Sequence, residues 1–206
     1  MSDDPVLLIG CGIFAREFSL LDAALRRRFE ASFLDSMLHM RPALLGEALA
    51  PILAEAGERP RVILYGDCCP AMAEFSAAPG ACRTFCTNCV ELALGGARYR
   101  RLRGEGAFFF MPEWLPRWEE VFERELGFLS IDRAAEFLRE SASRLVYVDT
   151  GSPPPPEAEL ARLGERFGLP VLIERAEVAA LEGALRKALA ELDRRPLREG
   201  CPEPAP

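Results

Sequence analysis

An α/β three-layer sandwich with a mostly parallel sheet is the fold class this sequence predicts. Three observations carry it. Short apolar runs rich in β-branched residues alternate with longer stretches of helical periodicity. Several runs end in polar or small residues, as at Gly10-Cys11-Gly12, Gly66-Asp67-Cys68 and Asp149-Thr150-Gly151. The 206-residue chain is 50% apolar and 28% charged, enough to bury one good core. The expected organisation is a single α/β domain over residues 1–194, with a hinge near 104–112 or 150–156 if it is two-lobed, and a disordered tail over 195–206.

Val6 to Ile9 is too short and too β-branched for a helix and reads as a buried strand. It passes through Gly10-Cys11-Gly12 into Ile13 to Phe29, where Phe14, Phe18, Leu21 and Leu25 share a helical face and Arg26 to Arg28 suit the carboxyl end of the dipole. Ala31 to Leu34 predicts a second strand, and Ala43 to Ala56 a helix. Val62 to Tyr65 is the third strand and runs into Gly66, Asp67, Cys68 and Cys69. Cys82 to Phe85 reads as a short strand, followed by helix from Asn88 to about Arg103 with a break at Gly95-Gly96.

Ala107 to Met111 is a strongly apolar strand stopped by Pro112. Glu113 to Glu125 predicts an amphipathic helix closed by Gly127, with Trp114 and Trp118 in the core. Ile131 to Ser141 is a helix and Leu145 to Val148 a strand. The prolines Pro153 to Pro156 form a stiff connection before a helix over Glu157 to Phe167. Val171 to Ile173 is a strand and Val178 to Leu192 the last helix. Strands alternating with helices in this way describe a Rossmann-like layering.

The formal net charge of −7 argues against nucleic acid as a partner, which needs clustered positive charge. No apolar run approaches the roughly 18 residues a membrane helix needs, and the amino terminus lacks the basic and apolar regions of a secretory signal, so no membrane partner and a cytoplasmic location are expected. Seven cysteines in such a compartment point to metal binding or catalysis more than to a disulfide framework. Oligomeric state is not legible.

Five of the seven cysteines fall between Arg61 and Cys89. The spacing Cys82-x3-Cys86-x2-Cys89 is that of the iron–sulfur motif of radical S-adenosylmethionine enzymes, but Asn88 stands where those enzymes usually place an aromatic residue. A second constellation takes one ligand from each strand end: Cys11, His39, Cys68 and Cys89. The ends of parallel strands share one sheet edge, where α/β folds bind ligands. Three thiolates and an imidazole suit zinc or an iron–sulfur cluster with one non-cysteine ligand. Cys69, Cys82 and Cys86 are the less favoured ligands. Asp67 and Glu91 flank the cysteines as candidate general bases or hydrogen-bond acceptors, or else as a turn aspartate and a first-turn helix glutamate. Asp149 and Thr150 are candidates for the same edge, or plain turn chemistry.

The stretches IGCGIFARE, MLHMRPALL, LYGDCCPAM, NCVELALGG, FFFMPEWLPRW and LVYVDTG together resemble the family catalogued as domain of unknown function 1638 over roughly Leu7 to Gly151. Members are often encoded near corrinoid-dependent methyltransferases. The resemblance implies cysteine at the positions of Cys11, Cys68 and Cys89 and histidine at His39, and it sets Cys69 where relatives tend to carry histidine. It implies a metal- or iron–sulfur-binding accessory protein or small enzyme of corrinoid or one-carbon methyl metabolism, partnered by a corrinoid protein or methyltransferase. A module binding a corrinoid or a methylated amine, with structural cysteines, is the second expectation. A thiol redox enzyme using Cys68 and Cys69 is the third.

Overall fold

The computed structural model describes residues 4–151, 154–176 and 178–194. The expected tail over 195–206, the start of the proline run and Cys201 lie outside the described residues. The fold is α/β, with two parallel sheets flanked by helices. The chain divides into two compact units: residues up to Leu92 together with the segment from Val178, and Ala93–Glu177.

The first unit holds a four-stranded sheet in the order β2-β1-β3-β4, from Phe29–Leu34 (β2), Val6–Cys11 (β1), Arg61–Leu64 (β3) and Ala81–Arg83 (β4). The central strands are buried on both faces, with Leu8, Ile9, Val62, Ile63 and Leu64 at 0% exposure, which is why they read as unbroken apolar runs. Helix α3 (Pro42–Ala56) buries Leu45, Leu49 and Leu53 at four-residue spacing despite Pro51. A long helix, Val178–Arg194 (α10 below), returns from the other end of the chain and packs on β3 and β4 through Leu181, Leu185, Ala188 and Leu189. The chain's single lysine, Lys187, lies over the Phe85 ring at 4.9 Å.

The expected helix over Ile13 to Phe29 is broken. Gly12–Phe14 is a 3-10 turn leading into α1 (Ala15–Ser19), and α2 (Ala23–Arg26) starts afresh because Asp22 caps it, Oδ2 accepting from the Leu25 amide at 3.0 Å. Phe29 belongs instead to β2, opposite Val6. The rest of this unit's connections are a 3-10 turn, Ser36–Met40, and the helix α4 (Met72–Ala77). Helix α5 (Cys89–Leu94) leads across the unit boundary.

The second unit opens with α6 (Gly96–Gly104) and contains β5 (Ala107–Phe110), β6 (Arg144–Asp149) and β7 (Val171–Arg175) as a parallel sheet in that order. Between β5 and β6 the expected regular helix over Glu113 to Glu125 is a 3-10 turn (Leu115–Arg117), one α turn (α7, Trp118–Glu120) and a π segment (Val121–Glu125). Pro116 supplies the reason: without an amide hydrogen it fits the first turn of a helix and not the interior of one. Helices α8 (Ile131–Ser141) and α9 (Glu157–Phe167) complete the unit over the limits their periodicity predicts. Their apolar faces meet Phe110, Leu115, Phe122 and Tyr147 in its core, and Trp118 stands edge-on to Phe167 at 5.2 Å. The order α5 to α10 thus runs through both units and ends back on the first sheet.

Candidate thiol site

Strand register sets the site. Cys11 pairs with Leu34, Gly10 with Leu64 and Ile63 with Arg83, so the chain leaves β1, β2, β3 and β4 along one carboxyl edge. Cys11, Asp35, Tyr65 and Thr84 to Cys86 therefore emerge side by side. Two glycines then allow the loops to close on one another. A Cβ on Gly12 would stand 2.8 Å from Leu34 O, and one on Gly66 would stand 2.3 Å from Thr87 O and 2.6 Å from Asn88 Cα. The amide of Asp67 donates to Thr87 O at 2.9 Å. The GDC segment after β3 is in this way laid against the chain that carries Cys86 and Cys89.

Helix α5 begins at Cys89 because Asn88 caps it: Asn88 Oδ1 accepts from the Glu91 amide at 2.9 Å, and Glu91 Oε2 reaches back to accept from Thr87 N and Thr87 Oγ1, each at 2.7 Å. Glu91 thus ties down Thr87, the residue before the cap. Arg83, at the end of β4 with a side chain 8% exposed, donates from Nη1 to Asp67 Oδ1 at 2.5 Å and to Gly66 O at 3.4 Å. It pins the Gly66-Asp67 loop from beneath and places a cation beside the thiols.

Burial and neighbouring charge set the acidity of the thiols. Burial holds the Cys89 thiol well above the ordinary cysteine range, and negative charge on Cys11, Cys68 or Cys86 would push it in the same direction. Burial likewise raises Cys86 to about 12, against a hydrogen bond with Thr84 Oγ1 at 3.9 Å, while Glu91 and Cys68 add to the rise and Arg83 opposes it. Cys68 is raised by burial, partly offset by a backbone hydrogen bond from Gly66. Cys89 thus answers to charge on Cys11, Cys68 and Cys86, and Cys86 to charge on Cys68.

The other candidates fall around it. Cys69 is raised by burial and takes hydrogen bonds from the backbone of Ala71 and Met72, at the start of α4. Cys82 lies within β4 opposite Val62, 1% exposed, with its sulfur 3.7 Å from Arg83 O. His39 sits in the 3-10 turn after β2, and its Nδ1 hydrogen-bonds Ser36 O. A carbonyl can only accept, so Nδ1 carries the proton and, in the neutral ring, Nε2 the lone pair. No disulfide joins the six described cysteines. Among the described residues, no three His, Cys, Asp or Glu side chains stand together as a ready metal-binding group. Sequence reasoning missed two members of the neighbourhood. Arg83 was signalled by a charge inside a buried strand. Tyr65 was hidden as the last letter of an apolar run; its hydroxyl is raised by burial and then by Cys11, Cys68, Cys69 and Asp35.

Parallel strands, short loops and cysteines gathered at the strand ends define an α/β protein with a thiol-lined sheet edge. The chain belongs to the family described as Protein of unknown function (DUF1638), whose model matches residues 33–185. His39, Cys68, Cys86 and Cys89 fall inside the matched segment and Cys11 before it. Among curated proteins and among solved structures, no match to the chain is found.

Proposed function

We propose that the protein holds a thiophilic metal, zinc or the iron of an iron–sulfur cluster, at the carboxyl edge of its four-stranded sheet through ligands drawn from Cys11, Cys68, Cys86 and Cys89, with His39, in the turn after β2, as the candidate nitrogen donor. The observation that carries this reading is the burial of the Cys89 thiol, which charge on Cys11, Cys68 or Cys86, delivered by β1, β3 and the segment after β4, would raise further. Thiols buried together are poorly disposed to ionise one by one, whereas a bound cation removes their protons and reverses the balance. The donor chemistry suits soft ions. Loading requires the sulfurs to draw together, and the loops after β3 and β4 are the parts that would close.

The same electrostatics disfavour a redox enzyme built on Cys68 and Cys69. Both thiols are raised, hence protonated near neutral pH, and the thiolate is the nucleophile such chemistry needs. The aromatic residues of the second unit, which a small-ligand module could use, pack on one another, Phe108 edge-on to Phe110 at 5.4 Å and Phe122 against Phe167 at 5.2 Å. With only three of these side chains as ligands, a bound metal would keep an open position and supply Lewis acidity toward a thiol or water. A role in corrinoid or one-carbon methyl metabolism, with a corrinoid protein or methyltransferase as partner in the cytoplasm, extends the proposal on the family resemblance. No helix is long and apolar enough to cross a membrane among the described residues.

Metal analysis of protein purified without oxygen tests the reading. Near-stoichiometric zinc or iron, lost in Cys89→Ser with the fold retained by circular dichroism, is the expected result. Less than about a tenth of an equivalent of zinc, iron or cobalt in the wild type overturns it.

A further inference from the structure

The second sheet ends on β7, which pairs with β6 and with no further strand among the described residues. At one end of β7 Pro170 O accepts from Leu145 N at 2.9 Å, and at the other Ala176 N donates to Asp149 O at 2.7 Å. Backbone groups of alternate residues turn to opposite sides of a strand, so Leu172 and Glu174 face β6 while Val171, Ile173 and Arg175 turn N–H and C=O outward. The outward run is closed at both ends. Leu169 N is committed to Gly164 O at 3.1 Å, and Arg98 Nη1 donates to Arg175 O at 2.7 Å. Between them stand four outward backbone groups, those of Val171 and Ile173. The side chains there are apolar and uncovered, Leu172 at 36% and Ile173 at 41% exposure. Soluble proteins usually blunt such an edge with a central charge, a proline or a bulge, whereas the centre here is Val171-Leu172-Ile173 in unbroken register.

We propose that β7 is the self-association surface of the protein, pairing antiparallel with β7 of a second copy about a two-fold axis at Leu172. In that register Val171 lies opposite Ile173 of the partner subunit, and each such pair exchanges two hydrogen bonds. All four outward groups on each copy are then used. Leu172 meets Leu172 of the partner subunit as the closer, non-hydrogen-bonded pair, so the facing positions are wholly apolar. An axis at Ile173 would set Leu172 against Glu174 of the partner subunit and aim the Val171 amide at a carbonyl that Arg98 already holds. An axis at Val171 would set Ile173 against Leu169 of the partner subunit, whose amide is bonded within its own chain. The edge is its own complement in one register, which commits it to a second copy and not to an arbitrary strand. The pairing joins two three-stranded sheets into one of six and consumes both β7 edges, so association stops at the dimer. So short a contact covers less than the roughly 800 Å² per partner of a standard interface, which sets the affinity in the micromolar range. Neither the thiol edge nor a metal enters this pairing.

Sedimentation equilibrium of the full chain under reducing conditions, from about 1 to about 200 μM, tests this. The wild type should pass reversibly from monomer to dimer and no further. Leu172→Lys and Leu172→Glu each put like charges directly opposite across the axis and should weaken the dimer about tenfold, with circular dichroism unchanged. An equimolar mixture of the two variants should recover the dimer, because opposite charges then face each other and only this register sets position 172 against itself. Ile173→Pro removes an amide that β6 does not use and should weaken the dimer without adding charge. A wild type that stays monomeric throughout overturns the proposal and leaves the edge to a strand of another protein. A dimer that none of these variants weakens, a mixture that stays monomeric, or assembly that continues past the dimer overturns it as well.

Discussion

Gly66 and Cys86 show how single residues set the site's geometry and its charge. At Gly66 a methyl group would collide with backbone, which cannot swing aside as a side chain can. Gly66→Ala should therefore cost about 2–3 kcal/mol, the scale of forced overpacking, and should weaken metal retention by separating Cys68 from Cys89. Gly46 is the control: it lies within α3 and an added Cβ meets nothing within 4 Å, so Gly46→Ala should stabilise by up to ~1 kcal/mol. Urea midpoints of the two variants check both signs. Cys86 sets a pH window. Its thiol titrates at about 12 when folded against an ordinary 9.0, so between those values the folded state holds the proton that the unfolded state has released. Its contribution is whole below the lower value and is lost as pH rises through the upper one. Cys68, Cys69 and Cys89 shift in the same direction. The urea midpoint of reduced, metal-free protein should hold to about pH 8.5 and then fall, by a few kcal/mol in stability at the alkaline end. Metal retention should follow the opposite slope and strengthen from about pH 6 to 8, because loading expels protons.

At the scale of elements, the thiol edge depends on where α5 begins. Asn88 and Glu91 fix that point, Asn88 Oδ1 accepting from the Glu91 amide and Glu91 Oε2 from the Thr87 amide. Asn88→Ala or Glu91→Ala should each cost about 1 kcal/mol, and the double variant less than the sum, since both side chains anchor the same first turn. Denaturation of the four proteins in a double-mutant cycle measures that coupling. The same elements show what a sequence can reveal. Buried strands were legible as unbroken apolar runs, and α8 and α9 to their ends, because periodicity and caps agreed there. The break before α2 was not, because Asp22 as a cap competes with a continuous apolar face across Leu21 and Leu25. Cys11, Cys68 and Cys89 were legible as residues at or beyond strand ends. Cys86 was not ranked beside them, because its nearness to Cys68 is created by the pairing of β3 with β4 and by the close approach at Gly66. Tyr65 was invisible for a related reason: sequence shows that a residue is apolar enough to be buried, and not whether its hydroxyl finds an acceptor.

For the whole molecule, the division into two units predicts independent behaviour. The second unit is one continuous segment, inserted before the chain returns to the first sheet through α10. Its ends are tied to each other: Arg98 near the start donates to Arg175 O at 2.7 Å, and Arg98 and Arg101 both approach the Glu174 carboxylate. It has its own core, with Phe122, Leu138, Leu145 and Phe167 each at 1% exposure or less. It carries none of the cysteines. The segment Ala93–Ala176 produced alone should therefore unfold cooperatively in urea, with about 3–5 kcal/mol of stability, and should bind neither zinc nor iron. The first unit is assembled from two separate segments and needs both. Removing the chain from Val178 onward strips the buried row Leu181, Leu185, Ala188 and Leu189 from β3 and β4, leaving the strands that carry the site uncovered. That truncated protein should lose its metal while the transition of the second unit persists. A single transition lost as a whole on truncation would mean instead that the two units fold only together.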